Sequence, residues 1–351
     1  MLKIKILGIF RRFHLKKRQT SRLACEVIRL KKLKADAFFA GVGGIELGFA
    51  ETGKVEIVYA NEFDKNAQKT YELNNSGILL DKRDIRNVSA SEIPDCDIIM
   101  GGFPCQTFSV AGKRAGFADA RGTLFFEMLR MIKAKKPKAV FAENVKNLAT
   151  HDGGHTFDVI KASLEGAGYS VKWKVMNAKD YGNLPQNRER IYIVAFKNRE
   201  ALEKFEFPGK MPLTKTLRDC IDFAGKKDEK YYYRSGKQSF FDQLEEGIKR
   251  QDTLYQWRRR YLRENKSGVC PTLTANMGTG GHNVPILLTD SGEIRRVTPQ
   301  EAFALQGFPT DFRLPKIAAS QLYKQAGNSV AVPVIRRIAE RIVLALEKEN
   351  H

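Results

Sequence analysis

The chain has 351 residues, 42% of them hydrophobic and 28% charged, with a formal net charge of +20. That length and apolar content allow one large domain and a smaller one, and no apolar run is long enough to cross a bilayer. The five cysteines, Cys25, Cys96, Cys105, Cys220 and Cys270, are odd in number and lack CxxC spacing, which argues against a disulfide framework or a zinc site and for a reducing, intracellular setting.

The positive charge points to a polyanionic partner, most often nucleic acid, rather than to a merely solubilising surface. It is uneven: residues 1–35 hold twelve Lys/Arg against one acid, Glu26. Three readings fit this stretch: a DNA-contacting arm, a translation start placed too far upstream, or a transit peptide. Residues 1–33 are expected to be poorly ordered and dispensable for chemistry.

From Lys34 onward, short apolar runs alternate with helical patterns. Ala37 to Ala40 reads as a strand ending in the turn Gly41-Val42-Gly43-Gly44, and Ile45 to Glu51 as the helix that follows. Val55 to Ala60 is a second strand closed by Asn61-Glu62, and Asp64 to Leu73 a second helix. Asp97 to Met100 is a strand, Leu124, Phe125, Met128, Leu129 and Ile132 recur at helical spacing, and Ala139 to Ala142 is a strand closed by Glu143-Asn144. Phe157, Ile160 and Leu164 mark another helix, and Ile191 to Phe196 another strand. This rhythm predicts a parallel sheet with helices on both faces. It stops near Lys197. From there to about Glu293 the chain is polar, with aromatic clusters at Tyr231-Tyr232-Tyr233 and Phe240-Phe241 and a basic run at Arg258-Arg259-Arg260. A helix resumes at Thr298 to Gln306. A long C-terminal helix carries Val330, Val334, Ile338, Ile342 and Leu346 on one face.

Chemistry-bearing residues fall at the carboxyl ends of the expected strands, where open α/β sheets place their ligands. In Gly102-Phe103-Pro104-Cys105-Gln106, Pro104 fixes its own φ and restricts Phe103, so the Cys105 thiol sits on a stiff loop suited to nucleophilic attack. A buried inert cysteine is the plainer alternative. The glycine turn after the first strand lets a ligand approach the backbone, and the helix N-terminus behind it favours negative charge. Glu62, about twenty residues on, suits ribose hydroxyls, and Asp84 can accept from an adenine amino group. Adjacent strand ends bring Glu143 near Cys105, pairing a carboxylic acid with a thiol. Arg188 and Arg190, two apart on an extended segment, point to one side, where they can hold a phosphate, polarise a carbonyl or stabilise Glu143.

These segments stand in the order of a known family. FAGVGG at 39–44, NEFD at 61–64, RDI at 83–85, GGFPCQTFS at 101–109, RGTLF at 121–125, ENV at 143–145, QNRER at 186–190, RRVTPQEAFALQGFP at 295–309 and QAGNSVAVPV at 325–334 resemble the DNA (cytosine-5)-methyltransferases of bacterial restriction-modification type. The resemblance implies an α/β fold: a Rossmann-like S-adenosylmethionine-dependent methyltransferase sheet with helices on both faces, plus a smaller target-recognition domain. It divides the chain into 34–196 for catalysis and cofactor binding, 197–294 for target recognition, and 295–351 returning to the catalytic domain. It implies that Cys105 is the nucleophile, that Glu143 holds or protonates cytosine N3, and that Arg188 and Arg190 contact the flipped base and nearby groups. It implies that Phe39, Gly41, Gly43, Gly44, Glu62, Asp84, Ile85, Gly102, Pro104, Leu124, Asn328 and Ser329 line the S-adenosylmethionine pocket, with Phe39 packed on adenine. One departure stands in the first motif: the family's usual Asp position is Ala37 here, with Asp36 one residue earlier.

The implied partner is double-stranded DNA, with Thr272 to Asn276 and the glycines after it nearest the base edges. The implied setting is the bacterial cytoplasm, as a monomer without a metal, beside a cognate restriction endonuclease that acts separately. An RNA-acting relative of the same chemistry is the rival, but the Cys-Phe-Thr signature of the tRNA-acting branch is missing from this sequence. A non-catalytic DNA-binding protein on the same fold is disfavoured by intact Cys105 and Glu143, and a nicotinamide oxidoreductase by GFPCQ and the basic charge.

Overall fold

The computed structural model describes residues 32–104, 124–258, 260–279 and 283–347. Cys105, Arg259, Gly280, Gly281 and the N-terminal basic segment through 31 lie outside the described residues. Leu33–His351 makes one compact unit.

The larger sheet contains β1 (Leu33–Phe38), β2 (Val55–Asn61), β3 (Leu79–Asp81), β4 (Ile98–Gly101), β5 (Ala139–Val145), β6 (Ser170–Asn177) and β7 (Glu189–Phe196), in the order β3-β2-β1-β4-β5-β7-β6. The first five pair in parallel. β7 runs antiparallel to both β5 and β6, which a purely parallel reading does not anticipate. The connection 178–188 is too short for the crossover that a parallel neighbour needs, so the chain turns back beside its own strand.

Helices α1 (Gly44–Ala50), α2 (Lys65–Asn74), α3 (Leu124–Lys135), α4 (His155–Glu165), α5 (Ala178–Tyr181) and α6 (Arg199–Lys204) intervene between or follow the strands. Alternate strand residues feed two cores, because successive side chains leave opposite faces. Met100, Phe141 and Val194 pack with Ile45 and Phe49 of α1 on one face. Ile99, Val140 and Ile193 pack with Met128, Ile132, Ile160 and Leu164 of α3 and α4 on the other.

Beyond α6 a second sheet is antiparallel and made of short strands: β8 (Tyr255–Arg258), β9 (Tyr261–Glu264), β10 (Ile286–Leu288) and β11 (Ile294–Arg296), in the order β11-β10-β8-β9. The helix α7 (Phe241–Gly247) adds Leu244 to the small core under it, with Trp257 and Ile286. Phe240 stacks on Trp257 with ring centroids 4.7 Å apart.

Among the described residues three more helices follow: α8 (Pro299–Leu305), α9 (Ala319–Asn328) and α10 (Val332–Glu347). The start of α8 is written locally. Thr298 caps it, Pro299 occupies its first turn, and Glu301 reaches back to the Thr298 N–H, a reciprocal capping box. Glu301 also takes both ends of the fully buried Arg295 guanidinium, at 2.8 and 2.7 Å. α10 then returns to the larger sheet: Val334, Ile335, Ile338 and Ile342 share the core of β1 and α1. Among the described residues no helix is long and apolar enough to cross a membrane.

Candidate active site at the strand ends

The turn after β1 carries Phe39, Gly41, Gly43 and Gly44. Gly43, at φ 90, is the N-cap of α1, a left-handed conformation that glycine adopts without strain. Phe39 holds φ 56 with a side chain, and such strain in a non-glycine residue is characteristic of functional turns. Gly44 permits a close approach: a Cβ there would stand 2.8 Å from Ser329 Oγ. The C-terminal Asn328-Ser329 step is thereby seated against the glycine turn.

Glu62 follows β2. Its Oε2 accepts from the Gly41 N–H at 2.7 Å, and its Oε1 from the Asp64 N–H at 2.6 Å. Burial raises its pKa, and the two backbone donors oppose the shift. Each oxygen keeps a further lone pair, the acceptor pattern that ribose hydroxyls require. Asp84 lies three residues past β3 rather than at its end. Its carboxylate is closed by Arg86, whose Nε stands 3.0 Å from Oδ1, and that contact holds its pKa low. Ile85 is 2% exposed and belongs to the core with Phe103 and Phe125. Leu124 begins α3 and packs against the same cluster, while Pro104 and Asn328 are exposed. Asp36 is fully buried inside β1, where desolvation pushes its pKa up to about 7 and the Cys96 thiol beside it opposes the shift.

The next two strand ends meet. A methyl group placed on Gly102 would stand 3.5 Å from Glu143 Oε2, and Asn144 Nδ2 donates to the Phe103 carbonyl at 2.8 Å. The residues leading into Cys105 are thus pinned to the end of β5. Glu143 is 8% exposed, and Arg190 Nε lies 3.2 Å from its Oε1. The alignment makes this an ion pair rather than a hydrogen bond, and Oε1 has no hydrogen-bond partner. Desolvation raises the Glu143 pKa against the opposing pull of Arg190 and Arg188. A buried acid with elevated proton affinity is equipped to deliver a proton.

Arg188 behaves differently from Arg190. It precedes β7 and is only 2% exposed. Its Nη1 donates to the Leu273 carbonyl at 2.8 Å, and its Nη2 to the carbonyls of Gly327, at 3.2 Å, and Ser329. These bonds commit the guanidinium fork to backbone, so the side chain is not presented to a base. Spacing places the two arginines on one side, as expected of groups that contact the flipped base and nearby groups, but segments from elsewhere in the chain enclose Arg188.

Residues 33–344 match the family described as C-5 cytosine-specific DNA methylase. The chain belongs to this family. It is a DNA cytosine-5 methylase with S-adenosylmethionine as its methyl donor. The methylase is 57% identical over 312 residues to the type II methyltransferase M.Bsp6I of Bacillus sp. (strain RFL6), covering 88% of this chain and 98% of that one. It is 38% identical over 325 residues to M.HhaI of Haemophilus parahaemolyticus, covering 90% and 95%. Its fold resembles the crystal structure of a Spodoptera frugiperda DNMT2 mutant, with a TM-score of 0.70 at 19% identity over 89% of this chain and all of that one.

Two residues beside these strand ends are passed over by the sequence reading. Phe63, 67% exposed beside Glu62, offers a bare aromatic face. Gln186 opens the QNRER motif and is fully buried, its Nε2 donating to the Leu305 carbonyl at 2.8 Å. The signal for Phe63 was an aromatic next to a strand-end acid. No local signal distinguishes Gln186 from an exposed loop glutamine.

Proposed function

We propose that this methylase modifies one cytosine within a defined sequence of double-stranded DNA, after that base has been turned out of the duplex, with Cys105 as the nucleophile. The observation that carries the reading is the buried Glu143–Arg190 pair, 3.2 Å apart, beside the strand end that leads into Cys105. Extrusion costs a few kcal/mol of stacking, which contacts in the pocket offset.

Cytosine C5 is too weak a nucleophile to take a methyl group unaided. A bond from the Cys105 sulfur to C6 shifts the ring π electrons from C5–C6 to C4–C5 and from C4–N3 onto N3, which takes the Glu143 proton. C5 is then enamine-like and would take the methyl group, the S–CH3 bond pair staying with the sulfonium sulfur that S-adenosylmethionine supplies. Loss of the C5 proton to solvent restores the C5–C6 double bond, the Cys105 sulfur leaves as thiolate, and N3 returns its proton to Glu143. A free thiol of pKa about 8.5 is only a few per cent ionised at neutral pH, so the reaction needs either a depressed Cys105 pKa or a thiol delivered close enough for transfer. Arg190 holds Glu143 in place and is the arginine available to the base.

The donor set fits the cofactor. Glu62 would take the ribose hydroxyls, Phe39 and Phe63 the adenine faces, and Asp84 the adenine amino group once Arg86 moves aside. The glycine turn would lie under the amino-acid end, with Asn328-Ser329 closing it. Segment 197–294 is assigned to target recognition, 34–196 to catalysis and cofactor binding, and 295–351 to completing the cofactor pocket. The type II methyltransferase names of the relatives favour a restriction-modification role; a bacterial cytoplasm, a monomeric state and a separately acting endonuclease are proposed with it.

Transfer of labelled methyl groups from S-adenosylmethionine to duplex DNA, with bisulfite sequencing of DNA from expressing cells, tests the reading. One modified cytosine in a fixed context supports it. Labelling of RNA alone contradicts it.

A further inference from the structure

Among the described residues, Arg188 and Arg295 are both buried, and they are held in different ways. Arg295 is matched by the Glu301 carboxylate. Arg188 rests on backbone carbonyls, and its Nε is buried without a hydrogen-bond partner. Burial and the nearby Arg190 push its pKa below the ordinary arginine value, and Glu143 opposes them. A buried cation without a hydrogen-bonded carboxylate must be satisfied by the acceptors around it, and here those are the three backbone carbonyls.

Those carbonyls belong to two remote segments. Leu273 lies in the stretch Thr272 to Asn276, assigned above to the DNA side. Gly327 and Ser329 flank Asn328 of the cofactor pocket. The two segments also touch. A Cβ on Gly327 would fall 2.1 Å from the Thr274 carbonyl carbon and 2.4 Å from the Ala275 nitrogen, so only glycine lets the backbones meet. Neighbouring bonds fix the DNA-side segment further: Thr272 Oγ1 donates to the Asn187 carbonyl at 2.6 Å, and the Leu273 N–H donates to Gln186 Oε1 at 3.3 Å.

We propose that Arg188 is a positioning residue through which DNA contact at Thr272 to Asn276 alters cofactor affinity at Asn328-Ser329. The inference rests on the DNA-side reading of that segment. The guanidinium is planar and its donors are fixed relative to one another. A shift of the Leu273 carbonyl therefore reorients the donor that holds Gly327 and Ser329, and the glycine contact leaves no slack to absorb it. Linkage requires the reverse effect to be equal.

The test measures binding without turnover, using S-adenosylhomocysteine, which carries no transferable methyl group. Its Kd is measured by calorimetry with and without a saturating duplex bearing the sequence found by bisulfite mapping. In the wild type the duplex should tighten it by roughly 5- to 150-fold, and S-adenosylhomocysteine should tighten the duplex by the same factor. In Arg188→Lys the factor should fall to within about twofold of one, with duplex binding retained. A wild-type factor of one, or an undiminished factor in a folded Arg188→Lys, overturns the proposal. If that variant does not fold, hydrogen exchange on the wild type decides: S-adenosylhomocysteine alone should slow exchange of the Leu273 to Ala275 amides, and unchanged exchange overturns the proposal. Substitutions at Thr274 and Asn276 that leave both duplex affinity and the methylated sequence intact would instead remove the DNA-side reading.

Discussion

The two halves of the sheet edge treat their acids in opposite ways. Just past β2, Glu62 is bonded to two backbone N–H groups, and three residues past β3, Asp84 is closed by Arg86. At the end of β5, Glu143 is buried, faces Arg190, and keeps an oxygen without a hydrogen-bond partner. On the proposed reading, Glu62 is held in a set position as an acceptor for a ligand bound throughout the cycle, whereas Glu143, with its raised pKa, would be completed by an incoming base. Binding and chemistry are therefore separable by mutation, and the contrast can be broken from either side.

The largest effect belongs to Cys105→Ala. Methyl transfer should vanish while the Kd of S-adenosylhomocysteine stays within about twofold of wild type; turnover near wild type would remove the nucleophile. Next comes Glu143→Gln, expected to lower kcat by about 10²–10⁴-fold with little change in cofactor affinity. The Glu143 pKa is raised above the ordinary carboxylate value, and the protonated form serves N3. The rate should therefore fall as pH rises through that elevated pKa, and this limb should disappear in Glu143→Gln. A limb that persists unchanged in the variant assigns the titration to another group.

Glu62→Ala should do the reverse. Losing charged hydrogen bonds worth about 1.5–3 kcal/mol weakens cofactor binding roughly 10- to 100-fold, while saturating cofactor restores most of kcat. A drop in kcat at saturation would blur the contrast between the halves. The smallest effect is expected from Phe63→Ala, about fivefold in cofactor Kd, near the low end of base–aromatic stacking at about 1 kcal/mol. An unchanged Kd would place the exposed ring outside the cofactor site.

How much of this was legible in the sequence follows from what is local. Ile98–Gly101 and Ala139–Val145 are compact apolar runs ended by chemistry-bearing residues, so their strands and their adjacency at Gly102 and Glu143 could be read directly. β6 was hidden because it is an edge strand whose lysines, Lys172 and Lys174, interrupt the apolar signal. α9 was missed because its buried face includes Gln325 and Gly327 alongside Leu322 and Tyr323. The direction of β7 cannot be read from composition, since a strand's residue pattern is the same either way. The second sheet is built from strands of three and four residues, too short for an alternation to register. Arg188 shows the deeper reason. Its spacing to Arg190 was visible, but its partners arrive from Leu273, Gly327 and Ser329, and no local pattern carries contacts across 85 or more residues.

The measurement that bears most directly on the account is a covalent trap. The methylase is incubated with S-adenosylmethionine and a duplex carrying 5-fluorocytosine at the target position, where fluorine replaces the proton that must leave C5. The account predicts a denaturation-stable adduct whose mass maps to the peptide containing Cys105, and none with Cys105→Ala. Methylation of the ordinary duplex without any such adduct, or an adduct on another residue, would contradict it.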